Sequence, residues 1–190
     1  MAVQGPIVIT GASSGIGAAC ARYLDALGFT VWAGVRSTQD GEALTRLTSS
    51  RLRVLMLDVT DPASIEAARK TLAEATRDTG LAGLVNNAGI SVAGPLELLP
   101  LSEVRTQFEV NVIGVLAVTQ ALLPLLRLAR GRIVNISSIA GLAATPFLGA
   151  YCSSKFALEA MSDALRLELA PWGISVSLVE PGAIQSQIWQ

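Results

Sequence analysis

Tyr151-Cys-Ser-Ser-Lys155 sets a phenol and an ammonium four residues apart, with Ser137-Ser138 a short loop upstream. Residues at that spacing share a helix face, so both groups can point into one pocket. A free tyrosine titrates near ~10, and lowering it by about three units to make an acid/base at neutral pH takes about 4 kcal/mol. A lysine cation at roughly 4 Å supplies about that much at an effective dielectric near ~20. Coincidence is a weak explanation, because Lys70 and Lys155 are the only two lysines in 190 residues. There is no histidine, which removes Ser-His-Asp and Cys-His nucleophile schemes and argues against catalytic zinc. Acid/base work falls to tyrosine, lysine or carboxylates. Two cysteines, Cys20 and Cys152, make no metal or disulfide framework, so no metal is expected.

The elements that must position these groups alternate along the chain. Apolar runs at Pro6–Thr10, Thr30–Val35, Arg53–Asp58, Gly83–Asn86, Gly131–Ile136 and Ile174–Val179 read as strands. Helical patterns fall between them, near Gly15–Leu27, Gln39–Ser49, Asp61–Asp78, Ser102–Leu128 and Ala150–Ala170. Such alternation predicts a doubly wound α/β fold, a single domain with a six-stranded parallel sheet whose strands are apolar throughout because helices cover both faces. Asp61-Pro62 reads as an N-cap followed by proline at the first helical position.

Thr10-Gly-Ala-Ser-Ser-Gly15-Ile-Gly17 joins the first strand to the first helix. Gly11 permits a tight turn, Gly15 lets backbone approach a pyrophosphate, and Gly17 allows close helix–strand packing. Ser13, Ser14 and Ile16 complete that loop as dinucleotide contacts. Asp58-Val59 ends the third strand, where the carboxylate either accepts from an adenine amino group or forms a turn. Val35-Arg36 ends the second strand, where an acidic residue would bind a ribose 2′-hydroxyl. Arginine suits a 2′-phosphate better, so NADP(H) is favoured over NAD(H).

Hydrophobic residues make up 51% and charged residues 15% of the chain, which gives a full core and excludes disorder. The net charge of −1 gives no basic stripe for nucleic acid or an anionic membrane surface. The start carries no secretory pattern, and the uncharged run from Val110 to Leu126 contains Asn111, Thr119, Gln120 and Pro124. It reads as a buried helix, not a membrane insertion, and the protein as cytoplasmic.

The ordered set Thr10-Gly-x-x-x-Gly-Ile-Gly17, Asp58-Val59, Asn86-Asn-Ala-Gly89, Asn111, Ser138, Tyr151-x-x-x-Lys155 and Pro181-Gly182 closely resembles the short-chain dehydrogenases/reductases over essentially all 190 residues. The resemblance implies that Tyr151 exchanges the proton at the substrate oxygen, that Ser138 polarises that oxygen, and that Lys155 lowers the tyrosine pKa and holds the nicotinamide ribose. Ser137 packs at the strand end. Asn111 holds a proton-relaying water in the family, or is a structural asparagine at a helix kink. Asn87, Ala88 and Gly89 contact adenosine, or Asn87 ties neighbouring strands. Pro181 and Gly182 close over the nicotinamide, with Ile184 and Ser186 near its carboxamide.

Ala33-Gly-Val-Arg36, Pro146-Phe147 and the stretch from Tyr151 to Glu159 look like the steroid and retinol dehydrogenase branch. The expected activity is hydride transfer between NAD(P) and a secondary alcohol or ketone; the largely apolar segments Ile90–Leu101 and Ile139–Leu148 either suit a hydrophobic, steroid-, retinoid- or lipid-like substrate or serve core packing. Family members continue past the Pro-Gly motif into a substrate lid and a seventh strand, whereas this sequence ends at Gln190. The alternative expectation is therefore a shortened, weakly active or inactive nucleotide- or partner-binding protein. An open edge at the last strand, together with the two long helices that pair subunits in the family, predicts a homodimer or homotetramer.

Overall fold

The computed structural model describes residues 5–184. Six parallel strands form one sheet: β1 (Ile7–Ile9), β2 (Val31–Val35), β3 (Leu52–Met56), β4 (Gly83–Asn86), β5 (Arg132–Ile136) and β6 (Ser175–Val179), in the order β3-β2-β1-β4-β5-β6. The reversal of strand order beside β1 opens a crevice at the carboxyl ends of the strands, where ligands of such sheets bind. Helices α1 (Gly15–Ala26), α2 (Thr38–Thr45), α3 (Pro62–Ala75), α4 (Leu101–Phe108), α5 (Gly114–Ala129) and α6 (Gly149–Leu169) connect them.

The register shows how the layers are built. Val8, Leu84, Ile133 and Val176 are in-register partners across four strands. All face one cluster with Ile65 and Leu72 of α3, Leu122 of α5 and Leu165 of α6. Ile9 and Val85, one residue on, face Ala21 of α1 and Leu44 of α2. A period of two thus divides the apolar residues between two helical layers. The expectation of strands apolar throughout fits β2 and β4, where every residue is buried. It fails at the sheet edges: β3 exposes Arg53 and Met56, and β6 exposes Ser175, Ser177 and Val179. An edge strand pairs on one side only, and helices cover it incompletely.

Asp61 caps α3 as its sequence suggests, its carboxylate accepting from Ala63 N at 2.9 Å. Ser37 caps α2, its hydroxyl accepting from Asp40 N at 3.2 Å. The helix read as Ser102–Leu128 is interrupted: Glu109–Ile113 form a π turn between α4 and α5. Leu101–Ala129 is long and apolar enough for a membrane span by length and composition. Its residues Val118, Leu122 and Leu126 pack into the core against the sheet.

Polar side chains also cross this core. Asn86 and Asn135 are register partners on β4 and β5, and Asn86 Nδ2 donates to Asn135 Oδ1 at 2.8 Å. The seam continues from Asn86 Nδ2 to Thr119 Oγ1 on α5 and from Asn135 Nδ2 to Ser162 Oγ on α6.

Candidate active site

Beyond the carboxyl ends of the strands lies a cleft of about 860 Å³. The β1–α1 loop forms its floor. Gly11 has φ +62°, in the left-handed region, and a methyl there would sit 2.8 Å from Ala88 Cα. At Gly17 a methyl would collide with the Gly11 carbonyl and the Asn87 amide, so this glycine sets helix–strand contact and does not line the cleft. Ser14 begins α1 without a side-chain cap, and the first turn carries no acidic residue. The N-terminal amides of α1 are thus left to an anionic ligand, as a dinucleotide pyrophosphate requires. The residues present fit such a cofactor.

Gly11, Ser13, Ser14, Gly15, Ile16, Arg36, Asp58, Val59, Asn87, Ala88, Gly89, Pro181, Gly182 and Ile184 all line the cleft with Ser138, Tyr151 and Lys155. Ser186 lies outside the described residues. Asp58 reaches the cleft, but its Oδ1 accepts from both the amide and the hydroxyl of Thr60 at 2.9 and 2.7 Å. Those bonds, with the charge of Arg36, hold its carboxyl below the ordinary range against a smaller burial effect. The turn-forming role is present in the structure. Asn87 is a tie: its Nδ2 donates to the carbonyls of Thr10 and Gly11 at 3.0 and 2.9 Å, while its backbone borders the cleft.

Asn111 does not line the cleft. It sits buried in the π turn, where Oδ1 accepts from Ile90 N at 2.9 Å and Nδ2 donates to Ile90 O and Ser154 Oγ. Its side-chain amide is engaged by protein partners, as a structural asparagine at a break in the helix would be. Gln107, one turn earlier and fully buried, bonds Val92 N and Ile90 O, each at 2.7 Å. Together the two amides act as a substitute strand, pinning the backbone that forms one wall of the cleft.

Gln107 was not legible as a site residue, since glutamine on a helix is ordinarily a solvent residue. Asp40 and Thr106 also line the cleft unforeseen. Asp40 lies four residues after Arg36 in the sequence, which was a usable signal.

At the β5 end, Ser138 leaves the strand and caps a short 3-10 turn, its hydroxyl accepting from Ala140 N at 3.1 Å. Tyr151 lies in the first turn of α6 and Lys155 one turn later, both buried. Lys155 Nζ donates to Ile136 O at 2.8 Å and stands 5.8 Å from the Tyr151 ring centroid. Burial pushes the Tyr151 phenol above its ordinary pKa, and a hydrogen bond with Ser138 pulls it back in part. Burial also lowers Lys155 to about 8, opposed by the charge of Glu159. The Lys155 ammonium is directed to the Ile136 carbonyl, and burial is the largest influence on both groups.

A family profile described as short chain dehydrogenase matches residues 6–190. Retinol dehydrogenase 5 of Mus musculus is 45% identical over 183 residues, covering 96% of this chain and 57% of that protein. The 17-beta-hydroxysteroid dehydrogenase type 6 of Bos taurus is 47% identical over 188 residues, covering 97% and 59%. The chain thus spans little more than half the length of these curated relatives. A short-chain dehydrogenase from Streptomyces avermitilis superposes with a TM-score of 0.90 at 37% identity, covering 97% of this chain and 68% of that one.

Two further structures carry different cofactors. A short chain dehydrogenase from Burkholderia cenocepacia in complex with NADP has a TM-score of 0.87 at 30% identity, covering 96% and 74%. The 3-ketoacyl-(acyl-carrier-protein) reductase from Brucella melitensis complexed with NADH has 0.91 at 27%, covering 97% and 78%. The glycine turn, the pinned cleft wall and the Ser138, Tyr151 and Lys155 cluster occur within a match running from the first strand to the end of the sequence, and on that ground the chain belongs to the short-chain dehydrogenase family.

Proposed function

We propose that this protein is an oxidoreductase that moves hydride between a nicotinamide dinucleotide and a secondary alcohol or ketone of apolar character. The observation that carries the reading is the meeting of Ser138, Tyr151 and Lys155 at one end of a cleft whose floor is the α1 N-terminus. When bound, the dinucleotide supplies or accepts the hydride. The Tyr151 hydroxyl gives a proton to the carbonyl oxygen during reduction and takes it back during oxidation, because a buried phenol keeps its proton until a substrate oxygen demands it. Ser138 donates a hydrogen bond to that oxygen and orients it toward the phenol. Lys155, fixed on the Ile136 carbonyl, supplies positive charge as the phenolate forms.

Arg36 lines the opposite end of the cleft and supports NADP(H) as the preferred cofactor. Asp40 and Asp58 stand in the same region and oppose that preference, although Asp40 is engaged by the Ser37 hydroxyl at 2.7 Å. An apolar substrate is supported by exposed apolar side chains that lie between Ser138 and Tyr151 in the sequence: Ile139, Leu142 and Phe147.

Nicotinamide absorbance, followed with a panel of steroid, retinoid and aliphatic ketones and alcohols, tests the reading. Turnover that falls at least about a hundredfold in Tyr151→Phe is the expected result. Equal traces from both proteins would sink the enzymatic reading, and binding without turnover would favour a nucleotide-binding role.

A further inference from the structure

We propose that Glu159 is a positioning residue for this chemistry: its carboxylate, one helical turn from Lys155 and with one oxygen shielded from solvent, keeps the lysine cationic. The inference rests on the oxidoreductase reading for its catalytic meaning, while its electrostatic content stands separately. Glu159 follows Lys155 by one turn of α6, so both project from the same side of the helix. Among the described residues no ion pair within 4.0 Å joins Lys155 to a carboxylate, since its ammonium is spent on the Ile136 carbonyl.

Glu159 Oε1 is buried and has no hydrogen-bond partner among the described residues, and the same holds for Ser137 Oγ. The two oxygens converge on Gly141, where an added methyl would stand 3.1 Å from Glu159 Oε1 and 3.0 Å from Ser137 Oγ. An acceptor oxygen buried without a donor has lost its hydration with nothing in return. A glutamine, or an apolar side chain, would avoid the cost of the charge at this position. What the carboxylate supplies is charge, and the buried cation one turn away is the group that requires it.

The ionisable surroundings of Lys155 make this assignment specific. On α6 its neighbours are Tyr151, Cys152 and Glu159. From β5 and the following loop come a carbonyl and the hydroxyls of Ser137 and Ser138, and from the π turn the neutral Asn111. Arg36, Asp40 and Asp58 lie at the far end of the cleft, beyond β2 and β3. Burial drives the lysine down to about 8, and Glu159 is the charge that holds it from falling further.

Two lysines in the chain make the test direct. With lysine 13Cε labelling, NMR gives one signal from Lys155 and one from Lys70, which is 71% exposed and serves as an internal reference. Removing the carboxylate in Glu159→Gln is expected to lower the Lys155 midpoint by roughly one pH unit, with Lys70 unmoved. Glu159→Leu, which fills the space without a polar atom, should do the same and covers the case of a misfolded amide variant. Glu159→Asp, which keeps the charge, should restore most of the midpoint. In turnover, the alkaline limb of the pH profile should move down with the lysine.

A Lys155 midpoint at its wild-type position in both Glu159→Gln and Glu159→Leu overturns the proposal, whether or not the protein turns over. A midpoint that falls while the wild-type protein reduces none of the ketones upholds the electrostatic pairing and refutes the oxidoreductase reading instead.

Discussion

Replacing Lys155 with methionine should make the protein more stable at neutral pH while removing the proposed turnover. Burial takes the lysine from an ordinary 10.5 to about 8. Each pH unit corresponds to about 1.4 kcal/mol, so holding the charged form inside costs about 3 kcal/mol. Methionine has similar length and no charge, but it leaves the Ile136 carbonyl without the Lys155 donor, which returns about 1 kcal/mol. The expected net gain is about 2 kcal/mol near pH 7.

The pH dependence fixes the sign. Below about 8 both folded and unfolded chains hold the proton, and the penalty is complete. Between about 8 and 10.5 the folded protein releases the proton while the unfolded chain keeps it, so wild-type stability rises with pH. Tyr151 and Cys20, both raised by burial, are present in both proteins. Urea unfolding of the two proteins near pH 7 and near pH 10 measures that difference. The methionine variant should lead near pH 7 and lose its lead near pH 10. A variant less stable than wild type near pH 7, or a gap that does not change with pH, would refute the reasoning.

Arg36→Ser should weaken NADPH binding by roughly tenfold and NADH binding by much less, as read by fluorescence titration; equal losses would count against a 2′-phosphate site. Gln107→Leu leaves Val92 N and Ile90 O without their side-chain partners. It should lower stability by about 2–4 kcal/mol in urea unfolding, and a change below about 0.5 kcal/mol would contradict the role of this amide in pinning the cleft wall.

The six strands and the glycine turn were legible because period and turn chemistry are local signals. The edges of the sheet were not: nothing in Arg53 or Met56 by itself says that β3 has one neighbour instead of two. The cleft residues on β–α loops followed from the motif order, but the partners of their side chains did not. Asn87 bonds a carbonyl 77 residues away, and Asn111 and Gln107 close on Ile90 from 21 and 17 residues away. Such pairings are made by the folded topology, and an amide in a helix carries no mark of the backbone it will meet. The direction of the Lys155 side chain was not legible either, because a lysine four residues from a phenol carries no mark of the Ile136 carbonyl to which it donates.

The ladder between β5 and β6 does not stop where the strands do. Ser137 N donates to Val179 O at 2.8 Å, Ile139 N to Pro181 O at 3.1 Å, and Ser138 Oγ reaches the same Pro181 carbonyl at 3.4 Å. Two loops that look independent in the sequence are therefore stitched into one ribbon, with Ser138 on one border and Pro181-Gly182 on the other. A push on the proline border is delivered to the serine hydroxyl without passing through the sheet, so whatever settles against Pro181, Gly182 and Ile184 also sets the aim of Ser138.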